Sequence, residues 1–164
     1  MTNFDFLKQE PKFKSFADVA ISAEKILPID CATAVINCRR AMEFAVKWMY
    51  SVDSSLVKPW DDKLVSLLST DEFRGIVDAA LLKRMDFIRK MGNSATHTGK
   101  KVKREQAELC LENLYIFLDY VAYCYADTYT EGKYNPELLK ENVAAPVAVP
   151  ETELKLEQLM KENA

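Results

Sequence analysis

Apolar residues recur at helical spacing through most of this chain. Phe16, Val19, Ala20, Ala23, Ile26 and Leu27 fall three or four apart, with Ser15 placed to cap and Pro28 to stop. The spacing predicts a helix over 15–27. Asp30 is placed to cap a second, over 31–52, in which Cys31, Cys38, Ala45 and Val52 are each seven apart, as are Ala34, Ala41 and Trp48. The small residues on that seam would let another helix, or a second copy, come close. After Pro59 and Trp60, Asp61 or Asp62 opens a short helix through Leu64 to Leu68. Ser69, Thr70 and Asp71 mark the next start, and Phe73, Val77, Ala80, Leu81, Met85, Ile88 and Met91 carry a fourth helix. Gly75 weakens its first turn and is expected to split an entry turn from the main run. The last core helix spans 104–128, striped by Ala107, Cys110, Leu111, Leu114, Phe117, Leu118, Val121 and Tyr125, with Tyr115, Tyr120, Tyr123 and Tyr129 on its flanks.

The ends read differently. Residues 1–14 have Phe4, Phe6 and Phe13 available to dock, and Pro11 interrupts any helix. From Thr130, Gly132, Pro136, Pro146 and Pro150 indicate an extended linker. Leu154, Leu156, Leu159 and Met160 then resume a helical pattern too short to stand alone. No strand pattern of useful length appears. The expectation is an all-α bundle of four to five helices over 1–130. Residues 131–164 would form a linker and the start of a segment leading into a larger chain.

Composition narrows the classes. With 164 residues, 49% apolar and 29% charged, the chain suits one soluble domain with a real core. A net charge of −3 argues against gripping nucleic acid by bulk electrostatics. No run of about 18 apolar residues exists to span a membrane, and the start lacks a signal peptide's basic and apolar regions. The four cysteines form no CxxC, and one histidine cannot complete a usual zinc set. All four fall on predicted apolar faces, the usage expected in a reducing cytoplasm. No glycine-rich phosphate loop, HExxH or serine elbow is present, so neither metal nor cofactor is expected.

Candidate chemistry gathers around the single histidine. Gly92 follows Ile88 and Met91 as a helix-ending glycine would, which places Arg89 on the last turn and Asn93 and His97 just past it. Arginine offers a fork of donors for phosphate, and histidine titrates near neutral pH. The same residues also suit a plain helix end with a basic last turn. Lys100, Lys101, Lys103 and Arg104 follow directly and add local positive charge. Arg39 and Glu43, one turn apart on the second helix, complete the candidate binding residues and can pair.

Several stretches together resemble one known domain: Phe4-Asp-Phe-Leu, Ala23-Glu-Lys, and Cys38-Arg-Arg-Ala-Met-Glu43 with Trp48 and Tyr50. The run Ile88-Arg-Lys-Met-Gly-Asn-Ser-Ala-Thr-His97 and the aromatic-rich last helix complete the set. Over residues 1–130 the chain resembles the helical domain of unknown function at the N-terminus of many type I restriction enzyme R subunits. That family is similar to the HEPN domains, many of them metal-independent ribonucleases with an arginine and a histidine four to six residues apart at a dimer interface. Here seven residues separate Arg89 from His97, and Lys90 stands where a polar residue usually follows the arginine. The resemblance implies a non-catalytic module that contacts other restriction-modification subunits, DNA or RNA. The alternatives are a plain dimerisation domain on the small-residue seam, or a dimeric ribonuclease. In the ribonuclease, His97 would serve as general acid and base, Arg89 would hold the scissile phosphate and Asn93 would orient them.

Overall fold

Asp30 sets the start of the central helix. Its carboxylate accepts from the Thr33 backbone N–H at 3.1 Å and from the Thr33 hydroxyl at 2.7 Å, and α2 runs Cys31–Val52. The computed structural model describes residues 1–97 and 101–144, with side chains to residue 140. Around α2 lie three more long helices: α1 (Lys14–Ile26), α5 (Ala79–His97) and α6 (Arg104–Tyr125). Short α3 (Leu64–Leu68) and α4 (Asp71–Ile76) connect α2 to α5, and α7 (Glu137–Ala144) follows α6. No strand occurs among the described residues, so the all-α expectation holds. The entry turn foreseen at Gly75 is α4, capped by the Thr70 hydroxyl accepting from Phe73 N–H. Asp78 then caps α5 through Leu81 N–H at 2.8 Å.

The long helices form one four-helix bundle. α1 packs on α2, α2 on both α5 and α6, and α5 on α6. Two cross-links fix α5 and α6 as antiparallel: Arg84 with Asn113, and the Ile76 carbonyl just ahead of α5 with Tyr120. The seam on α2 is consumed inside this bundle, since Ala34, Cys38, Ala41 and Ala45 are all 0% exposed. It is therefore not a face free for a second copy. Val52, placed on that seam by its spacing, is exposed at the helix end. Trp48 closes the far end, its ring edge-on to Phe13, Phe16 and Tyr125.

Several boundaries and faces differ from the sequence reading. α1 begins at Lys14, and no side chain caps it. Lys63 is the N-cap of α3, while Asp61 caps a loop turn by accepting from Lys63 N–H. α6 stops at Tyr125 because Ala126 turns to extended backbone. Cys38 and Cys110 are buried, but Cys124 is exposed, one residue off the apolar stripe.

The first residues are less irregular than expected. They form two short 3-10 helices, Asp5–Gln9 and Pro11–Phe13, that drive Phe4 and Phe13 fully into the core. Residues past 130 also pack on the body. Tyr134 meets the Tyr115 ring at 5.5 Å, and Leu138 and Leu139 are buried. Asn3 and Asn135 exchange hydrogen bonds: Asn135 N–H donates to Asn3 Oδ1 at 2.7 Å, and Asn3 Nδ2 to the Asn135 carbonyl at 3.1 Å. Asn3 in turn clasps the carboxylate of Glu24, which is 0% exposed, through its backbone N–H and side-chain amide. Pro146, Pro150 and the 151–162 pattern lie outside the described residues.

Candidate functional site

Gly92 does not end the helix. α5 continues through it to His97, so Asn93 and His97 are helical residues. The glycine answers a tertiary demand instead. A Cβ there would lie 2.6 Å from Arg39 Cβ and 2.5 Å from Arg39 Cδ. α2 and α5 come close at this point only because no side chain stands between them. Arg39 spreads over the gap, with its Nε buried and without a partner among the described residues.

Continuity of α5 changes what the candidate residues can do. Arg89, Asn93 and His97 now stand at intervals of four, along one flank of the helix. Eight residues at about 1.5 Å each separate Arg89 from His97 by roughly 12 Å along the axis. They do not converge on one phosphate within a single chain. Arg89 is also engaged: its Nη2 and Nε lie 2.9 and 3.0 Å from Asp86 Oδ1, while Lys90 Nζ holds Oδ2 of the same carboxylate at 3.0 Å. Partial burial raises the Asp86 pKa. The bonds and charges of Lys90 and Arg89 outweigh it and bring the net value below the usual one.

The Arg39/Glu43 pair stays on its own helix. Arg39 Nη1 reaches Glu43 at 3.4 Å, and Lys47 shares that carboxylate at 3.5 Å. What links it to α5 is the Gly92 contact, and the arginine of the candidate site takes Asp86 as its partner. His97 is exposed at the end of α5, and Lys101 and Lys103 are exposed just beyond. Arg104 opens α6 and pairs with Glu108 at 2.9 Å. Lys100 lies outside the described residues. Gln106 steadies the start of α6 by accepting from Lys103 N–H.

No local sequence pattern signals the surroundings of Arg89. The guanidinium borders a cleft of about 410 Å³ that Arg74, Asp78 and Asp86 also line, over a floor of Leu68, Val77 and Leu82. Arg74 comes from α4 and Leu68 from α3, and no local pattern announces that they meet α5. Among the described residues no group of three histidines, cysteines or carboxylates could hold a metal ion. No described helix is long and apolar enough to cross a membrane.

The molecule is thus a helical-bundle domain with a basic edge where α5 gives way to α6. It belongs to the family described as a domain of unknown function, DUF4145, whose model matches residues 22–146. The match begins within α1 and takes in α2 to α7. No curated protein and no solved structure matches the chain.

Proposed function

We propose that this domain is a non-catalytic contact module of a type I restriction R subunit, presenting the α5–α6 edge to nucleic acid or to a neighbouring subunit. The observation that carries the reading is the state of Arg89. It is bound to Asp86 and stands about two helical turns from the only histidine, so one chain assembles no acid–base and phosphate-holding pair. Support for the restriction assignment comes from the Arg89 to His97 run and the aromatic last helix. Lys101 and Lys103, with Arg104 paired to Glu108, give the edge positive charge on a chain of net −3, which suits local rather than bulk contact with phosphate.

One observation favours the HEPN-like ribonuclease as a second reading. Arg89, Asn93 and His97 share a flank of α5, and a second copy could face that flank. The deciding experiment incubates the purified, metal-chelated protein and its His97→Ala variant with a single-stranded RNA oligonucleotide. The contact-module reading expects no cleavage by either. Turnover that disappears in the variant would replace it with the ribonuclease, provided the active protein is a dimer.

A further inference from the structure

The other end of α5 carries a surface of opposite character. Tyr120 of α6 donates its hydroxyl to the Ile76 carbonyl at 2.6 Å, just ahead of the α5 cap at Asp78. Past α6 the chain brings back Tyr129, whose ring stands edge-to-face with Tyr123, 5.4 Å between centroids and 88° between planes. The Tyr129 hydroxyl donates to Asp119 at 2.8 Å. These side chains, with Asp78 and Arg84, enclose an open cleft of about 380 Å³.

Tyr123 is 66% exposed, and its hydroxyl has no hydrogen-bond partner among the described residues. The field around the rings is negative. Burial lifts the Tyr120 hydroxyl above its ordinary range, and the Asp53 and Asp78 carboxylates push it further. Tyr129 is raised to about 12 by burial, its bond to Asp119 and the charges of Asp119 and Glu131. Among the residues lining the cleft, Arg84 is the one cation. It is exposed, with one guanidinium N–H donating to buried Asn113 at 2.8 Å, and sits over no aromatic face; the carboxylates of Asp78 and Asp119 outnumber it.

Ring faces attract cations, and the carboxylates of half-buried Asp119 and exposed Asp78 beside them add to that attraction. A nucleic-acid strand would bring its phosphates against Asp78 and Asp119. We propose that this cleft receives the cationic side chain of a basic segment on a partner protein, with Tyr123 and Tyr129 as walls and Asp78 and Asp119 as counter-charges. The site is separate from the basic edge and does not depend on it.

The test is an NMR titration of the whole chain with three tripeptides, Ac-Gly-Lys-Gly-NH2, its trimethyl-lysine form and its norleucine form, each repeated at high salt. The expected result is saturable shifts at Tyr123, Tyr129 and Asp119 with both charged peptides and none with norleucine. Tyr123→Ala should weaken binding about fivefold or more, while Tyr123→Phe, which keeps the ring face, should bind like the parent. Tyr123 is exposed, so both variants are expected to fold, and the shifts of core amides check that directly. Equal shifts from the norleucine peptide, no shifts at all, or stronger shifts from a short single-stranded DNA than from the lysine peptide would overturn the proposal.

Discussion

Gly92 shows how one absent methyl group sets the distance between two helices. Alanine favours a helix interior over glycine by about 0.5–1 kcal/mol, so Gly92→Ala gains on propensity. Against that stands a Cβ within 2.6 Å of Arg39 Cβ, an atom that moves only with the α2 backbone. Overpacking of this kind costs about 1–3 kcal/mol, so the net effect should be destabilising, read as a lower urea midpoint. Arg39→Ala should not rescue it, because the clashing Cβ remains. Glu24 makes a second residue-scale case. Burial raises its pKa, and the Asn3 bonds only partly offset the shift. A carboxyl with a raised folded-state pKa contributes stability that is complete below its unfolded pKa and lost as pH rises through the folded value. Denaturant titrations across that window should show the parent losing stability relative to Glu24→Gln, which imitates the protonated form. Parallel curves would show that the burial does not act on the charge.

The elements differ in how plainly the chain declares them. α2 carries both its cap and its seam locally, in Asp30 and in the sevenfold spacing of small residues, and α6 carries a broad apolar stripe. Cys110, Leu114 and Leu118 on that stripe are 0% exposed, as the pattern requires. Leu114→Ala should accordingly lower unfolding free energy by about 2–5 kcal/mol. A loss under about 1 kcal/mol would mean that the stripe is misplaced. α5 was harder to read, because glycine followed by asparagine serves equally as a helix stop and as a helical residue under a crossing side chain. Only the position of Arg39, fifty-three residues earlier, distinguishes the two. The candidate site depends on that distinction: an interrupted helix could fold His97 back toward Arg89, and a continuous one holds them apart. Asp86 lies one turn before Arg89 on the same helix, whereas Arg74 and the cleft floor arrive through tertiary packing alone.

Across the whole molecule, charge is separated along the antiparallel α5–α6 pair. Lys101, Lys103 and Arg104 gather at one end, and Asp78, Asp119 and exposed Tyr123 at the other. If the basic end meets phosphates, Lys101→Ala and Lys103→Ala should each weaken oligonucleotide binding without regard to sequence. Each should also reduce the slope of log affinity against log salt by about one. Unchanged slopes would move the contact elsewhere. The mutual clasp of Asn3 and Asn135 spans 132 positions of sequence. Such a closure can be completed only after the intervening helices have already brought the two segments together. The asparagine pair therefore acts on the lifetime of the folded state rather than on how fast it is reached. Asn135→Ala should quicken unfolding in stopped-flow measurements and leave the refolding rate nearly unaltered.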